Sequence, residues 1–71
     1  MYLISNLASK TGISKDTLNY YLNIGLIKET TRIPDLEYRI FNDSVVERLN
    51  RIKELRQKGY SIKKIQHMLG G

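Results

Sequence analysis

The sequence predicts a mainly α-helical fold of about four helices with a small β-hairpin between the second and third: a helix-turn-helix carrying a wing. Three observations predict it. Ala8-Ser9-Lys10-Thr11-Gly12-Ile13-Ser14-Lys15-Asp16-Thr17-Leu18 places a small residue, a glycine four later and an aliphatic six after that, as two helices crossing through a tight turn require. From Leu26 to Phe41 the helical period gives way to β-branched and aromatic residues around Pro34-Asp35. From Asn42 onward a three-to-four-residue apolar spacing returns and holds almost to Gly70-Gly71.

Ile4, Leu7 and Ala8 give a first helix over about residues 4–10, ended by Thr11-Gly12, with no clear capping residue before it. Gly12 is placed to accept a positive φ where that helix stops. Ile13 and Leu18 are placed to fill the angle between the two helices. Ser14 caps a second helix with Asp16 in its positive first turn, running to about Asn23 before Ile24-Gly25. The stretch 26–41 reads as two short strands turning at Pro34-Asp35. Asn42 or Asp43 caps a third helix whose Val45, Leu49, Ile52 and Leu55 share one face, ending at Lys58-Gly59. Ser61 caps a fourth with Ile62, Ile65 and Leu69 on one side, closed by Gly70-Gly71. The expected organisation is one domain, with the helix-turn-helix over 1–25, the wing over 26–41 and helices three and four over 42–71.

Seventy-one residues leave no room for a separate catalytic unit, so core and function share the same few helices. Without cysteine there is neither a disulfide framework nor a thiolate zinc site, and the lone His67 cannot build a metal site. No cofactor is expected. Paired carboxylates, a nucleophile-base set and a phosphate-cradling glycine loop are all missing, which argues against an enzyme. No apolar run approaches the roughly 20 residues that span a bilayer, and the N-terminus lacks a basic-then-apolar leader pattern. The expectation is a cytoplasmic protein with no membrane partner. Net charge is +5 and unevenly placed: residues 1–47 carry five Lys/Arg against six Asp/Glu, whereas residues 48–71 carry seven against Glu54 alone. Such a field suits duplex DNA, although an acidic protein partner or a solvated face would look similar.

At about 100° per residue the second helix divides into an apolar side (Thr17, Leu18, Tyr21, Leu22) and a polar side (Lys15, Asp16, Asn19, Tyr20, Asn23). A helix lying in the major groove must present such a polar face. Lys15 can reach a phosphate or a guanine, Asn19 can pair with adenine, and the Tyr20 hydroxyl can reach a phosphate. Asp16 is repelled by phosphates, so it either reads a cytosine amino group or serves as helix N-terminal charge; the second role is the plainer one. On the wing, Tyr38 and Arg39, with Arg32 nearby, are placed to grip backbone or enter a minor groove. Lys58, Tyr60, Ser61, Lys63 and Lys64 cluster at the turn into the fourth helix, a second phosphate clamp to which that helix's first amides could add. Arg48, Arg51, Lys53 and Arg56 point around several sides of the third helix and read as solvated charge. Tyr2 and Tyr21 read as core, and His67 as exposed or half-packed.

These elements and the words within them resemble the DNA-binding domain of the mercury-resistance regulator (MerR) family. The resemblance runs over nearly the whole chain, through Ile4-Ser5-Asn6-Leu7-Ala8, Thr11-Gly12-Ile13-Ser14, Thr17-Leu18-Asn19-Tyr20-Tyr21, Ile24-Gly25-Leu26-Ile27, Tyr38-Arg39-Ile40-Phe41 and Gly59-Tyr60-Ser61-Ile62 with Ile65. It implies a winged helix-turn-helix of a bacterial transcriptional regulator, with Lys15, Tyr20, Tyr38 and Arg39 on positions that the pattern assigns to DNA. It also implies distortion of an overlong promoter for RNA polymerase, which needs self-association on DNA or through further residues. Three departures stand out. Members often carry arginine where this chain has Asp16 and Asn19, so two implied cationic contacts are missing. The usual glycine before the Tyr-Arg pair is Glu37. Typical members continue into a dimerisation helix and often an effector domain, and neither is recognised in these residues. Two other functions fit the same features: a small architectural or recombination-directionality factor that coats and bends DNA, and a protein-interaction module that kept the fold.

Overall fold

A computed structural model describes residues 1–33, 35 and 38–70. Four helices and one hairpin follow in the order α1 (Ile4–Thr11), α2 (Lys15–Asn23), β1 (Thr31–Ile33), β2 (Tyr38–Ile40), α3 (Asp43–Gln57) and α4 (Ile62–Leu69). The mainly helical, winged architecture is the one the sequence predicts. The proposed turn at Pro34 and the departure at Glu37 lie outside the described residues, as does Gly71.

Helix boundaries follow from local chemistry. The first helix lacks a side-chain acceptor at its cap, Leu3, but Asn6 reaches back and accepts from the Leu3 N–H at 3.0 Å. That satisfies one of the four amides orphaned at a helix start. At the other end Gly12 adopts φ +76° and donates to the Ala8 carbonyl at 2.9 Å. This left-handed position is costly for any side chain with a Cβ. A methyl at Gly12 would also stand 3.3 Å from Lys53 Nζ. Three polar caps open the remaining helices. Ser14 Oγ accepts from Thr17 N, Asn42 Oδ1 from Ser44 N and Val45 N, and Ser61 Oγ from Lys64 N.

The core forms where the apolar faces meet. Leu7 of α1, Leu18 and Tyr21 of α2, Val45, Val46, Leu49, Ile52 and Leu55 of α3, and Ile65 of α4 are buried together with Leu26, Ile27 and Phe41. The longest helix, α3, supplies five of these residues and packs against both α1 and α4, while α1 packs on α2. Ala8 and Ile13 sit half-buried at the helix-turn-helix crossing, as their sizes suggest.

The structure corrects the sequence reading in two places. The wing strands begin at Thr31 rather than soon after Leu26. Leu26 and Ile27 are consecutive and both buried, so they cannot alternate as a half-exposed strand does. Their amides fold back onto the Tyr21 carbonyl at 2.9 and 3.4 Å, closing α2. The α3 cations are also not simply solvated. Arg48 Nε donates to the Leu26 carbonyl at 2.7 Å, Lys53 Nζ to the Thr11 carbonyl at 2.9 Å, and Arg56 to the Tyr60 carbonyl at 2.9 Å. Lys53 thereby places positive charge on the last carbonyl of α1, where the helix dipole is negative. Arg51 alone of the four is confined to exposed pairing, with Glu54.

Candidate nucleic-acid interface

Two elements converge on one side of the molecule. Lys15, Asp16, Asn19, Tyr20 and Asn23 of α2 are exposed, while Leu18 and Tyr21 hold the opposite side in the core. The face division read from the sequence is therefore the one the fold adopts.

Beside α2 stands the hairpin, antiparallel with Thr31 opposite Ile40, Arg32 opposite Arg39 and Ile33 opposite Tyr38. A two-stranded ribbon of three-residue strands is marginal alone, and this one is tied to the body at its base. Tyr2 and Phe41 exchange backbone hydrogen bonds of 2.7 and 2.8 Å. The Tyr2 hydroxyl donates to Asp43 Oδ1 at 2.7 Å, and this bond, more than partial burial or the carboxylate charge, raises the Tyr2 pKa. Thr30 N donates to the Ile40 carbonyl, and Thr30 Oγ1 accepts from Asn42 N. These ties hold the wing against the start of α1.

Between α2 and the wing lies an open groove of about 520 Å³, lined by Lys15 and Asn19 from α2, by Arg32, Tyr38 and Arg39 from the hairpin, and by Leu3, Ile4 and Ser5. Four residues proposed from sequence, Lys15, Asn19, Tyr38 and Arg39, share this groove. Asp16 and Tyr20 lie on the same exposed helix face but outside its lining. The groove also takes in Arg32, whose place opposite Arg39 depends on strand register and was not apparent from composition.

Charge in the groove is unbalanced. Like charges directly opposite across an antiparallel pair repel. Glu29 partly offsets this by pairing with Arg32 at 3.1 Å. Its own backbone N–H, opposed by partial burial and helped by the charges of Arg32 and Arg39, holds the Glu29 carboxyl below the usual carboxylate range. Glu29 is therefore ionised throughout the neutral range.

The turn between α3 and α4 is a separate cationic site. Lys58 is exposed and 3.6 Å from Glu54, Ser61 is engaged as the α4 cap, and Lys63 lines a shallow groove with Gln66, His67 and Gly70. Gln66 Nε2 donates to the Ile24 carbonyl at 3.1 Å, tying α4 to the end of α2. Among the described residues no three His, Cys, Asp or Glu side chains gather as a metal centre would need, and no helix is long and apolar enough to cross a membrane.

A helix-turn-helix whose second helix is bare on its polar side, flanked by an arginine-bearing wing, defines a winged DNA-binding domain. Comparison with known proteins makes this specific. Residues 2–71 match the family model described as MerR HTH family regulatory protein, and the chain belongs to that family. It is similar to the mercuric resistance operon regulatory protein of Bacillus cereus, with 36% identity over 69 residues, covering 97% of this chain and 52% of that protein. The fold matches MtaN, the N-terminus of the Bacillus subtilis multidrug transporter activator, with a TM-score of 0.93 and 31% identity over 100% of this chain and 66% of that one. A MerR-family transcriptional regulator from Bacillus cereus matches with a TM-score of 0.91 and 26% identity, over 99% of this chain and 52% of that one. The chain thus spans about half the length of its Bacillus cereus relative. Its relatives are transcriptional regulators, which are not enzymes, and the chain is a DNA-binding domain of their kind.

Proposed function

We propose that the chain recognises a duplex DNA sequence by laying α2 in the major groove and the β1–β2 hairpin on the adjoining backbone. The observation that carries this reading is the single groove in which Lys15 and Asn19 of α2 face Arg32, Tyr38 and Arg39 of the wing. Base-reading and phosphate-binding chemistry are there side by side. Lys15 contacts phosphate or guanine, the Tyr20 hydroxyl contacts phosphate, Asn19 pairs with adenine, and Tyr38, Arg39 and Arg32 hold backbone. Lys58, Lys63 and the amides after Ser61 form a second backbone clamp. Asp16 lies on the same face and is the one anionic member of the set.

In the regulatory mechanism that family membership suggests, two copies deform a promoter so that RNA polymerase can use it. The protein would then work on the nucleoid, in the bacterial cytoplasm. Selection of bound duplexes from a randomised pool at roughly 150 mM salt, where phosphate binding alone is weak, tests the reading. Enrichment of inverted half-sites is the expected result. Direct repeats would favour the architectural alternative, and no enrichment by folded protein would overturn sequence recognition.

Two substitutions follow from the groove. Asn19→Ala is expected to change the preferred base at one position of the selected site, at a cost of about 1–3 kcal/mol there; an equal loss on all sequences would remove Asn19 from base reading. Glu29→Gln frees Arg32 from its anion. Binding to arbitrary duplexes should tighten severalfold, and the slope of log K against log salt should steepen by up to about one as a further phosphate is engaged. Unchanged affinity and slope in a salt titration would show that Arg32 does not reach DNA.

A further inference from the structure

One residue on the exposed face of α2 runs against the chemistry around it. Asp16 is exposed in the first turn, next to a groove lined by Lys15, Arg32 and Arg39, in a chain of net charge +5. Every phosphate brought to that face is repelled by its carboxylate.

The fold gives Asp16 little to do. The capping position is already filled by Ser14, which accepts from Thr17 N at 3.2 Å and donates to Thr17 Oγ1 at 3.0 Å. One turn further along α2 stand Asn19 and Tyr20, so no cation occupies the positions where an i,i+3 or i,i+4 ion pair would form. Among the described residues the Asp16 carboxylate enters none of the ion pairs, which join Arg32 to Glu29 and Arg51 and Lys58 to Glu54. What remains is a weak interaction with the helix dipole, which any acidic residue of the first turn would supply.

The major groove offers such a carboxylate only one suitable base. Guanine presents two acceptors there, N7 and O6, and thymine presents the O4 acceptor and a methyl group. Adenine presents an amino donor, but beside it the N7 acceptor, which repels an anion. Cytosine presents the N4 amino group with no acceptor of its own alongside. Given the placement of α2 in the major groove, on which this inference rests, we propose that Asp16 is a specificity-determining residue that accepts a hydrogen bond from a cytosine N4 amino group. Asn19 lies three residues on, about 4.5 Å along the helix axis, against about 3.4 Å per base step. The cytosine read by Asp16 and the adenine read by Asn19 therefore fall one or two base pairs apart in each half-site.

The test is parallel selection from a randomised duplex pool with the natural chain and with Asp16→Ala and Asp16→Asn, each first shown by circular dichroism to be folded, followed by titration of single-base variants of the selected site. The natural chain should prefer cytosine at one position by about tenfold, within the range that one good base contact discriminates. Asp16→Ala should reduce that preference to about twofold or less while binding the non-cytosine duplexes more tightly than the natural chain does, because the repulsion is gone. Asp16→Asn should move the preference toward adenine. If Asp16→Ala tightens every duplex by the same factor and leaves base preferences intact, Asp16 is plain helix charge and the proposal fails while the placement of α2 stands. If the folded natural chain enriches no sequence at all, the placement of α2 fails and the proposal with it.

Discussion

Replacing Phe41 by alanine is expected to destabilise the fold by about 3–5 kcal/mol, the range for truncating a buried aromatic. Phe41 is fully buried and directly follows β2, so one residue both fills the core and exchanges the backbone hydrogen bonds with Tyr2 that tie the wing down. A chain of 71 residues has a total stability on the order of 4–11 kcal/mol at usual per-residue values. The loss is thus about a quarter of the total or more. Thermal unfolding followed by circular dichroism should show a midpoint lowered by about 12 °C or more. Ile33, exposed on the wing, is the matched control: Ile33→Ala should change stability by no more than about 0.5 kcal/mol. A loss below about 1 kcal/mol for Phe41→Ala would mean that the cavity closes at little cost, and that the wing is not built on the core as described.

The second large effect is on binding. Arg39→Ala should weaken association with every duplex by about tenfold or more, as expected for losing a charged hydrogen bond, and reduce the salt slope by about one. The ranking of sequences should stay the same, because a phosphate contact carries no base information. Stability should hardly change, since Arg39 is exposed and stands opposite another cation, Arg32. The result to set against this is a change confined to one base position, which would move Arg39 from the backbone to a base edge. Fluorescence anisotropy at three or four salt concentrations distinguishes the two.

What could be read from the residues alone was what short-range chemistry decides. Ser14, Asn42 and Ser61 cap where their side chains allow, Gly12 takes the positive φ at the helix-turn-helix bend, and the division of α2 into faces follows from its period. What could not be read depends on partners distant in sequence. Lys53 and Thr11 are 42 residues apart, as are Gln66 and Ile24, and Arg48 and Leu26 are 22 apart. A lysine or arginine on a long helix gives no local sign that its head group will find a carbonyl on another element, so these residues read as solvent charge. The wing shows the same limit. Its strands could be expected from β-branched residues around a turn, but the pairing of Arg32 with Arg39 needed the register, and the anchor between Tyr2 and Phe41 needed the fold. Composition alone places Leu26 and Ile27 in the wing, while packing claims them for the core. In the groove, Lys15 and Asn19 were visible as a helical face and Tyr38 and Arg39 as a motif; that they share one concavity is a tertiary fact.

Whether the polar face of α2 and the wing form one DNA interface is decided by titrating the isotopically labelled chain with its selected duplex and following backbone and side-chain NMR signals. The largest shifts are predicted at Lys15, Asp16, Asn19, Tyr20, Arg32, Tyr38 and Arg39, with smaller ones around Lys58, Ser61 and Lys63. Shifts concentrated on the exposed side of α3, around Arg51 and Glu54, with α2 and the hairpin unmoved, would mean that DNA binds a different face.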